Sequence, residues 1–174
     1  YAALTLARLG LRVGALVVAD DPGAASAELA TIRDEGVEVV RQPGSAGPVF
    51  VNVETPSGRV QRSPAVSDAV DPAELPAHWR GARAWLLAPV AAELPEAWAE
   101  VPPPGSLVAL GWQGLLRVLV AGDGVRHRAP GESSVVRRAD IVGVGRDDFD
   151  AATTSVDDLL ALVHPGATLL VTDG

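Results

Sequence analysis

The sequence predicts an α/β fold, a Rossmann-like sandwich with an antiparallel β lid inserted into it. Three observations carry this prediction. Apolar runs of strand length alternate with stretches of helical spacing and capping signals, the rhythm of a parallel sheet. One stretch, about 37–64, leaves that rhythm and alternates with period two. Polar and small residues gather just past each apolar run, where open α/β sheets bind ligands.

The elements follow in order. Residues 1–9 place Leu4, Ala7 and the Leu6/Leu9 pair at helical spacing, and Gly10 stops the helix. Residues 13–19 are continuously apolar, as a strand buried on both faces requires. Asp21 is the expected cap and Pro22 the first helical residue of a helix marked by Ala25, Leu29 and Ile32, ended by Gly36. In the alternating stretch Val49, Val51 and Val53 share one face, and Phe50, Asn52 and Glu54 the other. Residues 55–58, Thr-Pro-Ser-Gly, turn the chain between two strands. The α/β rhythm then resumes with a strand at 84–88, a short helix at 94–99 and a strand at 107–110. A hairpin is expected around Gly122-Asp123-Gly124, joining 118–121 to 125–128. A helix at 133–138, a strand at 141–144, a helix at 156–163 capped by Ser155 and a strand at 167–172 complete the series.

Composition narrows the function classes. The 174 residues are 48% hydrophobic, enough for one domain with a real core. All 14 basic residues are Arg, against 22 acidic residues, for a net charge of −8. No basic stripe exists, which argues against nucleic acid as a partner. There is no Cys, so disulfides and Cys-ligated zinc are excluded. No apolar run approaches the ~20 residues that span a bilayer, and a cytoplasmic location is the default expectation. The chain has no Met, begins at Tyr1 within a helical pattern and stops at Gly174 where a strand meets a loop. It reads as an internal piece of a larger protein. His78, His127 and His164 lack carboxylate or Cys partners at ligand spacing and read as structural or surface residues.

Each strand exit offers a short polar segment: Asp20-Asp21, then Ala91-Ala92-Glu93, then Gly111-Trp112-Gln113-Gly114 with Arg117 close behind. Gly145-Arg146-Asp147-Asp148 and Thr172-Asp173-Gly174 follow the last two strands. Together they read as one ligand-binding rim.

In order and spacing, these segments resemble the PfkB/ribokinase family of carbohydrate and nucleoside kinases. The segment "YAALTLARLGLRVGALVVADDPGAASAELATIRDEGVEV" is similar to the family's first helix, strand and D-D-x-G…L…L…G-V segment, and the alternating stretch to its small β lid. "LLAPVAAEL" and "LGWQGLLR" resemble the inositol-kinase branch, in which Q-G-x-x-R follows a core strand. "ADIVGVGRDDF" lies where the family has D-I-x-x-x-N-x-x-E, and "LLVTDG" where it has V-T-x-G.

The resemblance implies a ribokinase-type three-layer α/β/α sandwich and an ATP-dependent transfer of phosphate, with Mg2+, to a hydroxyl of a sugar, inositol-like polyol or nucleoside. It implies that Arg117 meets phosphate, that Glu93, Gln113, Gly114 and Asn52 bind substrate, and that Thr172, Asp173 and Gly174 meet the nucleotide. Asp148 would organise magnesium. The position of the family's Asn is Gly145, a departure that raises a rival reading: a kinase fold that binds a small molecule without phosphorylating it. Plain readings stand beside these. Glu93 fits a solvated helix start, Gln113 a loop amide, Trp112 the core, Asp148 a cap and Thr172-Asp173-Gly174 a turn. The family's catalytic Asp, in a G-A-G-D segment, would lie beyond Gly174. The piece alone is therefore expected to be inactive. Some relatives pair their lids, so a homodimer through the lid is also implied.

Overall fold

A computed structural model describes residues 1–47, 49–56 and 58–173. Helix α1 spans Ala2–Arg8, and Gly10 follows it in the left-handed region at φ +81°, where glycine carries no Cβ penalty. Strand β1 is Gly14–Ala19.

Two short helices, α2 (Asp21–Ala24) and α3 (Ala27–Asp34), replace the single helix expected here. The carboxylate of Asp20, not Asp21, caps the first by accepting the Gly23 N–H at 2.8 Å. Ser26 caps the second through the Leu29 N–H, restarting the helix two residues after the first one ends.

Strand β2 (Glu38–Pro43) then pairs parallel with β1, Leu16 opposite Val40. The antiparallel segment therefore begins later than position 37. Period-two alternation marks a half-buried strand of either sense, and the helical crossover before β2 makes its pairing parallel. Arg41 fixes the end of this unit, donating from Nε to the Ala19 carbonyl and pairing with Asp21 at 2.7 Å.

The antiparallel sheet consists of β3 (Val49–Thr55) and β4 (Gly58–Ala65), with Val53 opposite Val60 and a register shift between Val49 and Val51. Strands β5 (Ala84–Leu87) and β6 (Leu107–Gly111) follow, separated by a 3-10 turn at Glu96–Glu100 where a short helix was expected. The expected hairpin is present in reduced form: β7 (Arg117–Val118) pairs with β9 (Arg126–His127). Its tip, β8 (Asp123–Gly124), adds to the edge of β4. Helix α4 (Ser134–Arg138), β10 (Ile141–Gly145), α5 (Val156–Leu162) and β11 (Thr168–Thr172) end the chain.

The four-stranded sheet is parallel throughout, in the order β11-β10-β6-β5. Its buried face presents Leu87, Val108, Leu110, Val142 and Val144 to one core with Val135 and Val136 of α4, Leu159 of α5, and Trp98 and Trp112. This is the Rossmann-like α/β arrangement expected from the rhythm of the sequence. Two capping devices hold the helices against the core. Ser155 and Asp158 cap α5 reciprocally. Glu96 accepts the N–H groups of Ser134 and Val135 at the start of α4. No helix among the described residues is long and apolar enough to cross a membrane.

Candidate functional site

The site is built where β6 and β10 end side by side. Each strand runs into one 3-10 turn: Trp112–Leu116 after β6, and Arg146–Asp148 after β10. Gly111 and Gly143 are register partners, so the two turns emerge next to each other. Trp112 roots the first turn in the core, 1% exposed, as its plain reading anticipated. Residues 35 apart in sequence then meet: Gln113 Nε2 donates to Asp148 Oδ1 at 2.8 Å. The Gly145 N–H donates to Asp148 Oδ2 at 3.0 Å. Asp148 is 5% exposed.

Arg117 ends the first turn and begins β7. Its Nη2 lies 3.9 Å from Asp148 Oδ1, and its Nε is buried without a hydrogen-bond partner. Burial pulls the guanidinium below the ordinary arginine range, and the charge of Asp148 partly restores it. The guanidinium carbon sits 5.7 Å from the centre of the Phe50 ring, so β3 turns its Phe50 face toward Arg117. Asn52, two residues further on and on the same face, accepts a hydrogen bond from Gln61 at 2.8 Å.

A second loop closes the other side. Glu93 folds back on its own chain, its carboxylate accepting the N–H groups of Val90 and Ala91 at 2.7 and 2.6 Å. Ala92 takes φ +62° in this tight turn and donates its N–H to the Gly114 carbonyl. Glu93 thus shapes the loop after β5, a role neither the substrate-binding nor the solvated reading described. A cavity of about 410 Å³ opens here, lined by Ser67, Ala91, Glu93, Arg117 and Arg128 among others.

The structure therefore brings Arg117, Gln113 and Asp148 into one cluster and sets Glu93 on the same cavity. Thr172 is close by: a Cβ added to Gly145 would stand 3.8 Å from its Oγ1. Asp173 pairs with Arg146 at the exposed rim. Gly174 lies outside the described residues. Arg128 went unnoticed in the sequence. The signal was the hairpin register, which returns residues 126–128 to Arg117 and lets Arg128 bond the Leu115 and Leu116 carbonyls.

Magnesium, implied by the resemblance, does not fit Asp148. Both carboxylate oxygens already accept hydrogen bonds, and the side chain is buried beside a guanidinium, a like charge to any metal cation. Among the described residues no three His, Cys, Asp or Glu side chains cluster to hold a metal.

Comparison with known proteins gives a fold. No family model matches the sequence, and no curated protein matches it. Among solved structures, a sulfate complex of a pyrophosphate-dependent kinase in the ribokinase family is similar over 98% of this chain, with TM-score 0.75 and 17% identity. A pyrophosphate-dependent kinase of that family complexed with a pyrophosphate analog and myo-inositol is similar over 99%, with TM-score 0.74 and 17% identity. A pyrophosphate-dependent myo-inositol-1 kinase converted by two substitutions into a myo-inositol-3 kinase is similar over 91%, with TM-score 0.67 and 16% identity. The chain spans 62% of the first two structures and 54% of the third. Parallel strands ending in paired turns, an antiparallel sheet facing them, and these matches lead to one conclusion: the chain has the ribokinase-family fold.

Proposed function

We propose that this chain belongs to a kinase that moves a phosphoryl group from a phosphoric anhydride to a hydroxyl of an inositol-like polyol. The observation that carries the reading is Arg117: a half-buried guanidinium whose buried Nε has no partner, at the carboxyl end of the sheet and under the Phe50 face of the antiparallel sheet. A guanidinium so placed meets a phosphoryl oxygen by charge-assisted hydrogen bonds and offsets the charge that spreads over the transferred group. Gln113 holds the carboxylate beside it. Gly114 and Glu93 keep the two loops at the spacing the cavity needs. Asn52 faces the polyol from the antiparallel sheet, which excludes water from the site. Thr172 and Asp173 face the donor.

The sequence resemblance favours ATP as donor; the similar solved kinases are described as pyrophosphate-dependent. The assay therefore runs the full-length protein with myo-inositol and a panel of sugars and nucleosides, once with pyrophosphate and once with ATP, followed by 31P NMR. A phosphorylated polyol with either donor, lost in Arg117→Gln, is the expected result. Absence of transfer from both donors to every acceptor overturns the kinase reading. Binding of a polyol without turnover would establish the rival, a non-catalytic binding protein, which draws support from the fully engaged carboxylates of Glu93 and Asp148.

Pairing of two copies through the exposed Val49, Val51, Val53 and Val60 is part of the same proposal. Sedimentation of the protein and of Val53→Glu tests it, a dimer that becomes a monomer being the expected outcome.

A further inference from the structure

We infer that Asp148 serves Arg117 as a buried counter-ion, held in place by Gln113, and that it is not a magnesium ligand. The inference deepens the kinase reading, and only its consequence for turnover rests on that reading.

Four observations converge. Asp148 is one of very few buried charged side chains among the described residues, and its nearest cation is Arg117 at 3.9 Å. Both oxygens are aimed by donors from different elements: Oδ1 by the Gln113 amide, Oδ2 by the Gly145 N–H. Gln113 thus acts as a positioning residue, turning the carboxylate toward the guanidinium that stands four residues along its own chain. The third observation is Gly145 itself. A Cβ there would stand 2.9 Å from Asp148 Oδ2. A side chain at 145 would therefore require the Asp148 carboxylate to shift from its present place against the Gly145 N–H. The fourth is the turn: a carboxylate at the end of Arg146–Asp148 that accepts the N–H before the turn closes it without any metal.

The electrostatics point the same way. A guanidinium taken largely out of water needs an anion nearby to stay charged and fixed. At 3.9 Å the pair is not hydrogen-bonded, and Arg117 Nε has no partner, which leaves that donor for an incoming phosphoryl oxygen. A cation bound at Asp148 would instead repel Arg117 and compete for the same two oxygens.

The test needs no turnover. Urea unfolding in EDTA compares the protein with Asp148→Asn, Arg117→Met and the double variant. Manganese binding, with Mn2+ alone as the probe, is followed by electron paramagnetic resonance. Asp148→Asn is expected to lower the urea midpoint, and adding Arg117→Met is expected to recover at least half of that loss. Its Mn2+ affinity should stay within about twofold of the parent, and absence of Mn2+ binding in both agrees equally. A tenfold or greater fall in Mn2+ affinity in Asp148→Asn, or a midpoint that Arg117→Met does not recover, overturns the inference. Should Asp148→Asn not fold, folding of the double variant supports the pairing, and its failure to fold overturns it. A protein that phosphorylates nothing would still give these readings, so the two proposals fail separately.

Discussion

Gly114 lies so close to Pro89 that a Cβ on it would stand 2.2 Å from the Pro89 carbonyl carbon and oxygen. The turn after β6 and the loop after β5 are therefore packed backbone to backbone, and the Ala92 N–H seals them by bonding the Gly114 carbonyl. Glycine is required here by contact, not by φ.

Gly114→Ala is accordingly expected to destabilise the protein by about 2–3 kcal/mol, because the clash is with backbone that cannot rotate away. Urea unfolding measures it. An effect within about 0.5 kcal/mol, the range of an ordinary surface substitution, would mean that the two loops yield easily.

Trp112 anchors the same turn from beneath. Trp112→Ala removes a side chain that is 1% exposed and should cost about 3–5 kcal/mol, much of the stability of a typical domain. Trp112→Phe should cost visibly less in the same unfolding series.

Glu96 provides a pH dependence. Burial pushes its carboxyl pKa up, but the hydroxyls of Ser134 and Ser133 and the N–H groups of Val135 and Ser134 outweigh that, and the net shift is below the ordinary 4.5. A lowered carboxyl pKa contributes stability that is fully present above 4.5 and is lost as the pH falls through the folded-state value. Glu96→Gln should be less stable than the parent at pH 7, and the gap should narrow as the pH drops below 4.5. Unfolding at a series of pH values checks this; a gap that widens in acid contradicts it.

Phe50 and Arg117 should be energetically coupled across the site. A double-mutant cycle of Phe50→Leu with Arg117→Met is expected to return about 0.5–1 kcal/mol for the cation–π contact. A coupling of zero would mean that the antiparallel sheet does not rest on Arg117.

What the sequence made legible was whatever depends on local pattern. The apolar run ending at Ala19, the stop at Gly10 and the Ser155 cap are decided within a few residues, and the structure has them. Sense of pairing is not local: β2 alternates like any strand, and only its crossover made it parallel. The strand exits were legible as short polar segments, and the structure sets those after β6 and β10 side by side. Who touches whom among them was not legible. The Gln113–Asp148 bond joins residues whose spacing means nothing until β6 and β10 lie adjacent. Glu93 was legible as an acid at a loop and not as the loop's own clasp, because a carboxylate looks the same in sequence whether it faces water or its neighbours' N–H groups.

The β7–β9 hairpin has a mechanical consequence. Its root is Arg117, and its tip, β8, is hydrogen-bonded into the edge of β4, with Gly122 and Val125 also bonded to Ser63 and Gln61. One short arm therefore ties the covering sheet to the guanidinium. The antiparallel sheet and Arg117 are thus fastened through backbone hydrogen bonds as well as through the Phe50 ring, two separate links between the same pair of elements.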